Sequence, residues 1–150
     1  MEEMEFVTAV KLNIYETIAR TAQAPTTFEV ARALNAPLEE VEAAYQQLHQ
    51  RRLLVPEPGD PALIRMAPPF SGVETPFRVR VGSKVYYANC AWDALGILAA
   101  LHQDGAVEAE DGYSSETILL EVRDQKPVPE PCVIHFAVPA ARWWEDILYT

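Results

Sequence analysis

Only two cysteines, Cys90 and Cys132, occur in the 150 residues. That is too few for a disulfide framework, and a reducing compartment would keep both as thiols. Basic residues are scarce as well: 12 Lys and Arg against 22 Asp and Glu give a formal net charge of −10. The deficit is spread evenly, with six basic and ten acidic groups in residues 1–70 and six and twelve in residues 71–150. Neither half can hold a phosphate backbone by charge, which argues against nucleic acid as a partner. Long apolar runs are missing, so no segment spans a bilayer, and Met1-Glu2-Glu3-Met4-Glu5 is the opposite of a basic signal-peptide start. A cytoplasmic protein with no membrane partner is expected. There is no internal repeat and no low-complexity tract. What is present is 49% hydrophobic residues, enough for a real core in one domain or two small ones.

Val7, Val10, Ile14 and Ile18 recur at three- and four-residue steps, so a helix with one buried stripe is predicted over about Val7 to Ala22. Thr26-Thr27-Phe28-Glu29 has the form of a capping box and starts a short helix that ends near Leu34-Asn35. Pro37 suits the first position of a third helix with Leu38, Val41, Tyr45 and Leu48 on its apolar face. Leu53-Leu54-Val55 and Ala62 to Met66, separated by a Pro/Gly-rich turn, read as a two-stranded wing. Three helices and a hairpin make a winged-helix-like scaffold over residues 1–67. The third helix begins Leu38-Glu39-Glu40-Val41-Glu42, and carboxylates at the end that would enter a groove repel phosphate. Specific DNA binding is not expected.

Ala67-Pro68-Pro69-Phe70-Ser71-Gly72 breaks the periodicity and marks a boundary, with a second domain at 68–150. In it Phe77 to Val81 and Lys84 to Ala88, joined by Gly82-Ser83, read as a hairpin. A helix follows from about Ala91 to His102, then strands near Thr117 to Val122 and Val133 to Val138, connected by Gln125 to Pro131. The fold class is α+β, a small antiparallel sheet with a packed helix.

The hairpin runs into Tyr86-Tyr87-Ala88-Asn89-Cys90-Ala91-Trp92-Asp93-Ala94-Leu95-Gly96. Cys90 falls at a helix start, where free N–H groups and the dipole favour a thiolate, and Asp93 falls in the first turn on nearly the same face. From position alone Cys90 is either a reactive thiol or a small buried hydrophobe, and Asp93 either an acid or a carboxylate stabilised by the dipole. Cys132-Val133-Ile134-His135 has the residue types of a metal clip, but residues three apart on a strand point to opposite faces. His49 and His102 read as exposed helix ends. Trp143-Trp144 reads as packing that closes the sheet or lines a pocket, and either Tyr86 or Tyr87 could face Cys90.

With its neighbours, the cysteine segment resembles the organomercurial (alkylmercury) lyase family. The similar stretch runs from Pro68-Pro69-Phe70-Ser71-Gly72 through Thr75-Pro76-Phe77 and Cys90 to Val133-Ile134-His135-Phe136-Ala137-Val138-Pro139 and Arg142-Trp143-Trp144-Glu145-Asp146-Ile147. The resemblance implies that Cys90 takes the mercury and Asp93 manages the proton. It also implies an N-terminal helical domain that serves as scaffold for the catalytic one, and a second cysteine just after the segment resembling Arg142 to Thr150. The sequence stops there, so either the catalytic domain is incomplete at its C-terminus or the chain is a relative with altered chemistry. The expected activity is thiolate capture of R–Hg and protonolysis of the carbon–mercury bond, with Asp93 a possible further mercury ligand. No organic cofactor is implied, and external thiols would remove the ionic mercury. The alternative is a non-catalytic, thiol-dependent binding or regulatory protein on the same fold, and in both cases the expected partner is a small soft-metal ligand.

Overall fold

A computed structural model of the protein describes residues 2–128 and 133–149 and divides into two compact units, Met1–Glu74 and Thr75–Thr150. In the first, α1 (Glu2–Thr21) buries Val7, Val10, Ile14 and Ile18, the stripe set by their spacing. The capping box opens α2 (Thr27–Leu34): the Glu29 N–H donates to the Thr26 hydroxyl at 3.2 Å and the Thr26 N–H donates to the Glu29 carboxylate at 2.8 Å. Asn35, at a left-handed φ of 51°, ends it. Pro37 caps α3 (Leu38–Gln50) instead of occupying its first position. Val41, Ala44, Tyr45 and Leu48 of α3 are buried, whereas Leu38 is 40% exposed. A side chain in the first turn leans back past the end of its helix, away from the face it was expected to join.

The expected two-stranded wing is a three-stranded antiparallel sheet of β1 (Val55–Glu57), β2 (Asp60–Ala67) and β3 (Phe70–Ser71). The first strand starts later than Leu53 because Arg52 takes a left-handed φ of 59° as the chain leaves α3. Pairing of β3 with β2 also carries the first unit past the break at residue 67, to Glu74. The Tyr15 hydroxyl donates to the Pro68 carbonyl at 2.8 Å, and its ring meets Phe70 edge-on at 6.3 Å. The Gly72 N–H donates to the Arg65 carbonyl at 2.8 Å, and a Cβ at Gly72 would lie 1.8 Å from the Ile64 oxygen, so only glycine fits.

In the second unit β4 (Phe77–Val81) and β5 (Lys84–Ala88) form the hairpin at its expected bounds, with Gly82 at a φ of 58°. The chain continues through α4 (Ala91–Leu101), β6 (Gly105–Glu110), β7 (Thr117–Arg123) and β8 (Lys126–Val128). The antiparallel sheet has the order β5-β4-β6-β7-β8. Strand β6 was not foreseen, since Gly-Ala-Val-Glu-Ala-Glu is poor in strand formers and is held by partners on both sides. The expected strand over Val133 to Val138 is not one. β7 pairs with β8 instead, through a turn in which Asp124 and Gln125 have φ of 49° and 61° and donate their N–H groups to the Asp104 carboxylate at 2.7 and 3.1 Å.

Tyr86, Val79, Val107 and Leu120 lie opposite one another on four neighbouring strands and are all buried. Ala94, Ile97 and Leu98 of α4 pack over β4, β5 and β6 on this row, giving one helix on one face of an antiparallel sheet. The helix is thereby fixed on the sheet, with its N-terminus following directly from β5. No described helix is long and apolar enough to cross a membrane.

Candidate active site

Cys90 is the residue at which extended backbone becomes helix. It keeps φ −152° and ψ 173°, and its carbonyl accepts the Ala94 N–H at 3.0 Å. Asp93 stands three residues on in the first turn, close enough for its carboxyl and the Cys90 thiol to shift each other's protonation. Both groups are half-buried. Burial pushes the Asp93 carboxyl up to about 6, and the hydrogen bond from Cys90 pulls part of the way back.

The thiol corrects an expectation. Burial pushes it above the ordinary thiol value, and the nearby Asp93 charge adds to this. The Asp93 and Trp92 backbone N–H groups, the helix-start effect read from the sequence, pull the other way without prevailing. At rest the pair therefore holds its protons more firmly than either group would in water. A protonated thiol beside a near-neutral carboxyl can exchange a proton between them and present sulfur to a soft acceptor.

The C-terminal segment lies beside this helix start. The Asn89 side-chain amide donates to the Ile147 carbonyl at 3.2 Å. Trp92, 59% exposed, forms one wall of an open groove of about 530 Å³ whose other walls are Ile134, Phe136, Val138, Pro139 and Trp143. Residues 133–138 alternate as an extended chain does, with Ile134, Phe136 and Val138 turned inward, although they join no ladder among the described residues. A 3₁₀ helix (Ala140–Glu145) then returns Trp143 onto them. Its ring lies 4.7 Å from that of Phe136, and its N–H donates to the Val138 carbonyl at 2.8 Å, satisfying the polar end of an otherwise apolar wall. The Arg142 guanidinium pairs with Glu145 at 2.8 Å on the outside of the same turn.

Cys90 and Asp93 are thus brought together. Cys132 falls outside the described residues, and with it the Cys132–His135 clip; His135 itself borders the groove. Among the described residues no group of three or more His, Cys, Asp and Glu side chains is placed to hold a metal ion. Tyr86 goes into the core under α4, while Tyr87, opposite Arg78, is on the other face of the sheet, so neither is assigned to the Cys90 pair. His49 and His102 are exposed near the ends of α3 and α4. Trp143 lines a pocket, one of its two expected roles. Trp92 and Asn89 were missed; the available signal was an indole in the first, solvent-facing turn of a helix that is otherwise almost wholly apolar.

The family model for alkylmercury lyase matches residues 70–150 of the chain. Among solved structures, the mercury-bound form of MerB2 is similar with a TM-score of 0.63 and 24% identity, over 85% of this chain. The chain spans about 65% of that protein's length, and at this identity the likeness speaks for the fold. A comparison with curated proteins found no significant match.

Proposed function

Because the chain belongs to the alkylmercury lyase family, we propose that it captures an organomercurial through the sulfur of Cys90 and cleaves the carbon–mercury bond with a proton from Asp93. The observation that carries this reading is the placement of a thiol and a carboxyl in one half-buried helical turn at the start of α4. In capture, R–Hg–X exchanges X for the Cys90 sulfur, and the thiol proton passes to the Asp93 carboxylate as X departs. In cleavage, the carbon–mercury bonding pair takes that proton, R–H leaves, and mercury(II) remains on sulfur with the regenerated carboxylate as a second, weaker donor. No oxidation state changes. Soft thiolate holds mercury against oxygen and nitrogen competitors, and external thiols carry the ion away.

A further sulfur donor would raise electron density on the leaving carbon. Its candidate sources are a cysteine following Thr150, as the family resemblance implies, Cys132 and an external thiol. A reducing cytoplasm, where thiols stay free, suits this chemistry.

The test is hydrocarbon release from phenylmercury and methylmercury in excess thiol, with mass spectrometry of the protein–mercury adduct. Wild type should release R–H. Cys90→Ser should form no adduct, and Asp93→Asn should form the adduct but release at least about a hundredfold more slowly, the scale of a lost general acid. Capture by wild type without release would replace the lyase with a thiol-dependent binding protein. Unimpaired release by Cys90→Ser would overturn the site. Slower release by Cys132→Ser would name the second sulfur, and equal release would leave that role to external thiol or to a cysteine following Thr150.

A further inference from the structure

In the second unit the row of Val79, Tyr86, Val107 and Leu120 turns toward α4, so the alternate residues of the same strands turn the other way, to the outer face of the sheet. Arg78 and Arg80 of β4, Arg123 of β7 and Lys126 of β8 stand on that face, four of the six basic residues in 71–150. Only three of the segment's twelve acidic residues, Glu108, Glu110 and Glu121, stand among them. In a chain of net charge −10, this is a surface on which a second copy meets little repulsion. Leu119, 54% exposed, and Val128, 39% exposed, add apolar area to it. We propose that two copies of the chain pair through this outer face, about a two-fold axis running along β6.

The charge pattern selects both the partner and the axis. β6 is the central strand of the order β5-β4-β6-β7-β8, and the row that crosses it reads Val85, Arg80, Ala106, Glu121, Val128. A cation and an anion thus stand one strand to either side of a small residue, with a valine beyond each. Rotation about β6 lays β4 over the second copy's β7 and β5 over its β8. Arg80 then meets Glu121 of the second copy, Glu121 meets its Arg80, and Val85 meets its Val128. A two-fold axis across the strands would instead set Arg78 and Arg80 against their own copies. Within one chain Arg80 pairs with Glu108 at 3.6 Å and Glu121 pairs with Arg123. The Arg80 side chain is 63% exposed, which leaves guanidinium N–H groups for a further carboxylate, so each new contact joins two existing pairs into one network. Over Ala106 lies a hollow of about 250 Å³, bordered by Arg80 and Glu121, that admits the arriving guanidinium. Five strands of about five residues cover roughly 400 Å² per copy, about half of the ~800 Å² of a standard interface, so the dimer is weak and reversible. Helix α4 lies on the opposite face, and the candidate site at its start stays outside the interface in both copies.

The experiment is sedimentation velocity of the full chain from about 10 μM to about 1 mM, the range in which an interface of this size associates. Wild type should pass from monomer to dimer across it. Arg80→Glu sets like charges against Glu121 of the second copy, and Glu121→Arg sets them against its Arg80, so each variant alone should weaken the dimer at least about tenfold. Mixed in equal amounts, the two variants should recover a heterodimer of near wild-type affinity, because each introduced charge then meets its opposite. Arg80→Gln and Glu121→Gln, which bring no like charges together within a chain, should each weaken association about threefold and carry the test if a reversal fails to fold. A wild type that stays monomeric at the highest concentration overturns the proposal. So does dimerisation that the reversals leave unchanged, a mixture of the two reversals that associates no better than its components, or, where a reversal unfolds, glutamine variants that dimerise as wild type does.

Discussion

Replacing Asp93 by asparagine should stabilise the second unit at neutral pH. The carboxyl rises from 3.8 to about 6 because folding takes it out of water, so the folded chain resists its ionisation more than the unfolded chain does. At about 1.4 kcal/mol per pH unit, ionised Asp93 would cost about 3 kcal/mol. The side chain is only half-buried, and solvent screening reduces this to ~1–2 kcal/mol. The sign follows from linkage. Below 3.8 the carboxyl is protonated in both states and costs nothing; between 3.8 and about 6 the unfolded chain ionises while the folded chain does not, and stability falls as pH rises. Above about 6 both are ionised and the loss is constant. Asparagine has the same shape and no charge to bury.

All 3 tryptophans, Trp92, Trp143 and Trp144, lie in the second unit, so urea unfolding followed by indole fluorescence reports on it alone. Wild type and Asp93→Asn should coincide near pH 3, diverge between pH 4 and pH 6, and differ by ~1–2 kcal/mol in favour of the variant at pH 8. The same variant should be the poorer lyase, which would make the carboxyl a group kept at a cost to stability. A variant less stable than wild type at pH 8, or a gain of equal size at pH 3, would refute the claim that burial of a charge dominates at this position.

Three further outcomes are expected. Iodoacetamide labelling of Cys90 should be slow at neutral pH and reach half its maximal rate only above the ordinary thiol range, because burial outweighs the helix-start N–H groups; a mid-point below that range would reverse the balance. Gly72→Ala should destabilise the first unit by at least about 2 kcal/mol, measured by far-ultraviolet dichroism of its three helices, since the new Cβ meets the Ile64 carbonyl. The full chain should not retard duplex DNA even at low salt, because Glu39, Glu40 and Glu42 crowd the first turns of α3; salt-sensitive retardation would contradict this.

What the sequence made legible was what neighbours along the chain decide. The stripe of α1, the Thr26–Glu29 box and the β4–β5 hairpin each depend on residues within a few positions of one another, and each formed where spacing and turn chemistry placed it. β6 and the 133–138 segment failed for the complementary reason. The first is a strand because β4 and β7 flank it, against its own composition. The second has the alternation of a strand but finds β7 already paired with β8, whose turn depends on Asp104, a residue from before β6. A ladder partner cannot be read from the strand that lacks it.

The candidate site divides along the same line. Proximity of Cys90 and Asp93 is a local matter of helical spacing at a strand-to-helix junction, and it was legible. Their protonation is not local. The field of the α4 N-terminus, which the sequence does reveal, lowers the thiol, but burial opposes it, and burial depends on segments that return from far along the chain. Asn89 meets Ile147, and Trp92 shares a groove with residues 134–143, so the surroundings of the helix start are built from the C-terminal segment. A carboxyl in that setting is raised for the same reason as the thiol beside it, since each loses water from around its charged form. The sequence thus identifies which groups can hold a proton and a soft metal, while only the fold determines that at neutral pH the thiol keeps its proton until something displaces it.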